Sequence, residues 1–239
     1  MQAAATVMLN RSSVLSAMLL LALLPGLLAC GSRTRWDHTP REQHIVRTGE
    51  TLYSIAWRYS KDPDDLARWN KLGDGSLIHP GQVIRLQPPP GMSRSAGKTA
   101  SDRQGSDSLP PIPADPPPLW DWPAAGRVAV NFGERPGSGT GILIAGSASD
   151  TVRAAAAGRV VYAGGGLIGY GKLIIIKHND TYLSAYGHNA SLLVKEGETI
   201  RKNQRIATMG EGPGHEPRLH FEIRRNGEPV NPRQFLPAR

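Results

Sequence analysis

From Trp120 onward the chain breaks into short apolar runs divided by glycine-rich turns: RVAV, GILIA, GRVVYAG, KLIIIKH, YLSAYGH, RIATMG and LHFEIRR. None sustains a helical stripe beyond two turns, so the backbone hydrogen bonds of this segment must close between strands. The expected fold is mostly antiparallel β over residues 120–239, with a core drawn from the Val, Ile and Leu of those runs. The last run passes through a turn at Asn226-Gly227 into a short second strand. Because strand side chains alternate, Arg218, His220 and Glu222 share one face of it, and Leu219, Phe221 and Ile223 take the other.

Residues 43–87 follow a different rhythm. HIV at 44–46 reads as a strand, and Leu52, Ile55, Ala56 and Tyr59 form one helical stripe. Asp62-Pro63 then supplies an N-cap and a first helical residue, with Leu66 and Trp69 facing inward, and HPGQVIRL closes the unit with a turn and a strand. The result is a small β-α-α-β module. Between it and the β domain, residues 88–119 are rich in Pro, Ser, Gly and Asp, with a PPP run near each end. Such a stretch buries too little apolar surface to offset its ordering, so it is expected to be an extended tether that separates two jobs.

The first 29 residues carry one charge, Arg11, and an apolar core from Val14 to Leu28, too short to span a bilayer comfortably. They read as a secretory signal, with Met8 an alternative start. Cys30 is the only cysteine, so no internal disulfide is possible. Leu27-Leu28-Ala29-Cys30 resembles the lipobox of bacterial lipoproteins, which implies acylation at Cys30, a tether over residues 30–42, and attachment to a membrane. Gly31 after the cysteine implies the outer membrane, facing the periplasm. Loss of the signal removes Arg11 alone among charged groups and takes the formal charge from +8 to +7. A basic surface seeks anionic partners, and an exported chain leaves wall polymer and lipid headgroups rather than nucleic acid.

The stretch VRTGETLYSIAWRYSKDPDDLARWNKLGDGSLIHPGQVIRL resembles a LysM module throughout. The resemblance implies a shallow groove for the N-acetylglucosamine units of peptidoglycan, with Gly49, Glu50, Thr51 and Leu52 on one side and Ile78, Pro80 and Gly81 on the other.

NFGERPG, AAAAGRVVYAGGGLIGYGKLIIIKH, YGH, GETIRKNQRIATMG and RLHFEIRRNGEPVNP, in that order, resemble the motifs of the lysostaphin-type (LytM, M23) peptidase domain. Active members hold zinc with the His and Asp of a His-x-x-x-Asp motif and the second His of a His-x-His strand. The first His of that pair and another from Tyr-x-His handle protons. Zinc requires three protein ligands and one open position where bound water ionises near pH of about 7. In this chain Gly139 falls at the His position and Leu143 at the Asp position, and no His, Asp, Glu or Cys lies between Arg135 and Ser149. His220 keeps a ligand position, Arg218 replaces the proton-handling His, and His188 of AYGH is retained. One ligand cannot hold catalytic zinc, and a guanidinium on the same strand face repels a dication. No metal or other cofactor is therefore expected, and a site rebuilt from His215, His178 or Glu216 would need two new ligands and a base.

A lipoprotein signal, LysM, a Pro-rich linker and a degenerate LytM domain, in that order, resemble the NlpD and EnvC branch of the LytM family. That resemblance implies a non-catalytic protein that activates a periplasmic N-acetylmuramyl-L-alanine amidase during septal peptidoglycan splitting. A zinc endopeptidase of the M23 family and a passive wall-binding scaffold are the alternatives. The emptied cleft, with His188, Arg218, His220 and Glu222, is the expected partner-binding surface. Two partners suit Arg218: a carboxylate on the amidase, or an internal Glu that replaces the metal as a staple.

Overall fold

The computed structural model describes residues 42–73, 77–92, 116–134 and 139–239. The expected signal segment, Cys30 and most of the expected linker at 88–119 lie outside these residues. The small module pairs β1 (Gln43–Ile45) antiparallel with β2 (Val83–Arg85), His44 opposite Ile84, around α1 (Leu52–Arg58) and α2 (Pro63–Asn70). Thr51 caps α1 in a reciprocal box, its hydroxyl accepting from Ser54 N while Ser54 Oγ accepts from Thr51 N. Asp62 accepts from the amides of Asp64 and Asp65 to cap α2, and Pro63 opens the helix as its sequence position predicts. Val46, Leu52, Ile55, Leu66, Trp69 and Ile84 form the module's own core.

The β domain runs β3 (Val128–Val130), β4 (Ile142–Ala145), β5 (Thr151–Arg153), β6 (Gly158–Gly164), β7 (Lys172–Lys177) and β8 (Tyr182–Leu192). It continues with β9 (Thr199–Ile200), β10 (Arg205–Met209), β11 (Arg218–Arg225) and β12 (Glu228–Val230). Pairing is antiparallel throughout, in the order β3-β4-β11-β8-β7-β6-β9, with β10 bridging β5 and β8 and β12 on β11. The expected antiparallel domain and β-α-α-β module are both present. The β11–β12 turn is tight because Asn226 and Gly227 both take positive φ (50° and 77°), which matches the twist of the strands they join.

The two faces of this sheet bury different material. Ile174 and Ile176 of β7, Tyr186 of β8, and Leu219, Phe221 and Ile223 of β11 join the main core. Leu173 and Ile175 of β7 and Leu183 and Ala185 of β8 point the other way, into a second cluster with Tyr162 and Leu167. Trp57, from α1 of the small module, completes that second cluster.

Candidate functional site

β11 lies between β4 and β8, with His220 opposite Leu143 on one side and Gly187 on the other. Its alternation is as expected: the odd-numbered apolar residues enter the main core and Arg218, His220 and Glu222 line the other face. Arg224 extends that polar row by one more place.

Glu222 is completely buried and sits at the centre of the row. His220 Nε2 lies 2.8 Å and the Tyr170 hydroxyl 2.9 Å from its Oε1, and the Thr140 hydroxyl bonds to the same oxygen. Arg224 Nε donates to Oε2 at 3.2 Å. Burial opposes its ionisation, but the hydrogen bond with His220 and the charge of Arg224 outweigh it and hold the carboxyl below the usual carboxylate range. The carboxylate is thus fully engaged inside the protein.

His188 takes a left-handed backbone (φ 59°), anchored by its amide on Tyr170 O at 2.7 Å, and its ring centroid lies 5.8 Å from that of His220. Burial, with the neighbouring His220 second, pushes its pKa down to about 4, so the ring is neutral at pH 7. Arg218 pairs with the exposed carboxylate of Glu216, and its Nε is buried without a hydrogen-bond partner among the described residues. Of the two partners considered for Arg218, an internal Glu is in place, although it is a rim residue and not a buried staple.

The four residues expected at the partner surface differ in burial. Glu222 and His220 (3 % exposed) are buried, whereas His188 and Arg218 are half-buried. The donor set does not fit zinc. His220 faces the aliphatic side chain of Leu143 across the β4–β11 ladder, and its Nε2 is committed to Glu222. His178, as expected near a strand end, is satisfied structurally, with Nδ1 2.7 Å from Ala157 O and Nε2 2.7 Å from Ser184 Oγ. His215 is exposed beside Glu211.

In the LysM module the two loops expected to form the groove stand side by side, since Gly81 N donates to Val46 O at 2.8 Å. Gly49, Pro80 and Gly81 are exposed and Ile78 is half-buried. Leu52 is a core residue and the Glu50 carboxylate turns inward to His44 Nε2 (2.6 Å), Arg47 N (2.9 Å) and Arg58 Nη1 (2.7 Å). Those two side chains are therefore internal. The Thr51 hydroxyl, besides capping α1, donates to Val161 O of β6 at 3.2 Å.

Sequence reasoning missed Trp57, Thr140, Tyr170 and Arg224. One signal was present: LIII in β7 is an unbroken apolar run, the mark of a strand covered on both faces.

A LysM domain model matches residues 44–87 and a Peptidase family M23 model matches residues 137–232. The chain is 41% identical over 230 residues to "Lipoprotein NlpD/LppB homolog" of Pseudomonas aeruginosa, covering 82% of this chain and 77% of that one. It is 34% identical over 257 residues to "Murein hydrolase activator NlpD" of Escherichia coli K12, covering 82% and 68%. Lysostaphin of Staphylococcus simulans aligns in structure at a TM-score of 0.43 and 26% identity, over 46% of this chain and 48% of that one. With both domain matches in order and this identity sustained over most of each relative, the chain belongs to the NlpD family of LysM- and M23-domain lipoproteins.

Proposed function

We propose that this chain is a non-catalytic envelope lipoprotein that binds peptidoglycan through its LysM module and activates a periplasmic N-acetylmuramyl-L-alanine amidase in septal peptidoglycan splitting. Acylation at Cys30 anchors it, at the outer membrane facing the periplasm. The observation that carries the reading is the pairing of His220 with Leu143: where an M23 peptidase needs converging donors, one imidazole meets an alkyl side chain and is bound to Glu222 instead. The names of the relatives support the same reading.

In this role the cleft works by contact. Arg218 offers a guanidinium beside neutral His188, and its paired Glu216 is exposed, so a partner carboxylate can displace it and pair with Arg218. Activation follows if the chain binds the open form of the amidase more tightly than the closed one. The LysM module raises the local concentration of that complex at the wall.

The test incubates purified chain with peptidoglycan, alone and with candidate amidases. Release of glycan-free peptide only when an amidase is present is the expected result. Bond cleavage by the chain alone, suppressed by a chelator, would establish an endopeptidase, and silence in both mixtures a passive scaffold.

A further inference from the structure

Trp57 lies on α1, yet it belongs to the wrong core. The module's own stripe uses Leu52, Ile55 and Ala56, while the Trp57 ring packs with Tyr162, Leu173, Ile175 and Leu183 of the β domain and is only 2 % exposed. In a free module that indole would face water, at a cost set by its large apolar area. It is covered because the module sits on the same sheet face as His220 and Glu222.

The contact is fastened by polar groups as well. Arg224 Nη1 donates to Trp57 O at 2.9 Å, Thr51 Oγ1 to Val161 O at 3.2 Å, and Arg58 Nη2 to Gly166 O at 3.2 Å. Gly227, at φ 77°, approaches the Lys61 backbone so closely that a Cβ there would stand 2.6 Å from its carbonyl carbon. Lys177 Nζ lies 3.9 Å from Asp64 of α2. Arg224 shares the Glu222 carboxylate with His220, so the module contact and the cleft floor are two ends of one buried ion row.

We propose that Trp57 and Arg224 form an interdomain docking surface and that Arg224 is a positioning residue: it locks the LysM module against the cleft so that glycan and protein partner are held at one fixed offset. The proposal rests on the reading of LysM as the glycan site and the cleft as the partner site. Its physical content is orientation beyond mere tethering. A linker alone raises effective concentration, whereas a docked module also fixes the direction from which the wall strand meets the enzyme. The loop carrying Thr51, next to the glycan groove, is itself part of the fastening.

Hydrogen exchange of the full-length chain, compared with Trp57→Ala and Trp57→Phe, tests docking without any partner. In Trp57→Ala the amides of residues 161–170 and 224–227 should exchange about tenfold faster, while those of both module helices and of β4 keep their protection. Trp57→Phe, which retains an aromatic face under the guanidinium, should behave as the parent. Unchanged exchange at 161–170 and 224–227 in Trp57→Ala would overturn the docking, as would collapse of the module helices, which would make Trp57 an ordinary residue of the module's own core.

The second arm uses an amidase that the parent chain activates. Trp57→Ala should sediment with insoluble peptidoglycan as the parent does, yet stimulate cleavage of intact peptidoglycan about tenfold less. Stimulation on a soluble disaccharide-peptide, too short to reach both sites, should be unchanged. Equal loss on both substrates would refute positioning, because the variant would then be damaging the cleft itself. Should the parent activate no amidase, the functional reading fails while the exchange result still decides the docking.

Discussion

The guanidinium carbon of Arg224 lies 3.7 Å from the centroid of the Trp57 ring, joining two residues 167 positions apart in the chain. Arg224 is only 2 % exposed and has Glu222 as its counterion, so a full charge is buried with a carboxylate on one side and an indole face on the other. That arrangement needs both domains to be present.

Removing the cation should therefore be costly. Arg224→Ala takes the guanidinium away from the buried Glu222 carboxylate and removes the stack on Trp57. Loss of one member of a buried pair costs about 3–5 kcal/mol, and the expected readout is a lower urea midpoint. Arg224→Lys, which keeps the charge but not the planar fork, should fall between the two. A midpoint unchanged in Arg224→Ala would contradict the ion row described above.

Arg218 and His220 should separate function from stability. Arg218→Glu places a carboxylate beside Glu216 at the rim of the cleft and should abolish amidase activation with little change in unfolding. His220→Ala removes one of several partners of Glu222 and should cost about 1–3 kcal/mol of stability while retaining most activation. Complete loss of activation in both variants, with normal folding, would refute this division of roles.

Acid should destabilise the fold before carboxylates titrate. Burial pushes the His178 pKa down to about 4, partly opposed by its bond to Ala157 O, and His188 lies equally low. The unfolded chain takes up these protons near a pH of about 6.5 while the native state refuses them. Their stabilisation is thus full above that value and is lost as pH falls toward about 4, at less than about 1.4 kcal/mol per pH unit for each, because both histidines are only half-buried. Glu222, whose folded pKa is depressed, adds a further loss as pH falls below the ordinary carboxylate range. Urea midpoints measured from pH 7 to 4 should decline, and His178→Gln should flatten the upper part of that decline. A flat profile in the parent chain would be inconsistent with a neutral, half-buried His178.

Gly141, next to β4, has no room for a side chain. A Cβ there would collide with the Phe221 carbonyl and stand 2.7 Å from Glu222 Cγ, both on the neighbouring β11. Gly141→Ala should therefore force β4 away from β11 and destabilise by about 1–3 kcal/mol. The thermal midpoint checks it, and a variant as stable as the parent would mean that β4 shifts freely against the site strand.

Local rules determined much of this molecule. Alternation along β11 assigned residues 218–223 to their observed faces, Asp62-Pro63 marked the start of α2, and Asn226-Gly227 marked the last hairpin. The absence of ligating residue types between Arg135 and Ser149 was likewise readable without coordinates, since no fold can supply a donor the chain lacks. What tertiary structure alone decided was which groups cover each face. Alternation places Glu222 and Arg224 on the cleft side but cannot say that Tyr170, Thr140 and a tryptophan from the other domain will enclose them. Burial is a property of what packs against a residue, so Glu50 and Leu52, set on the glycan side by their motif, have side chains that point inward to His44 and Arg58 and to the module's own core.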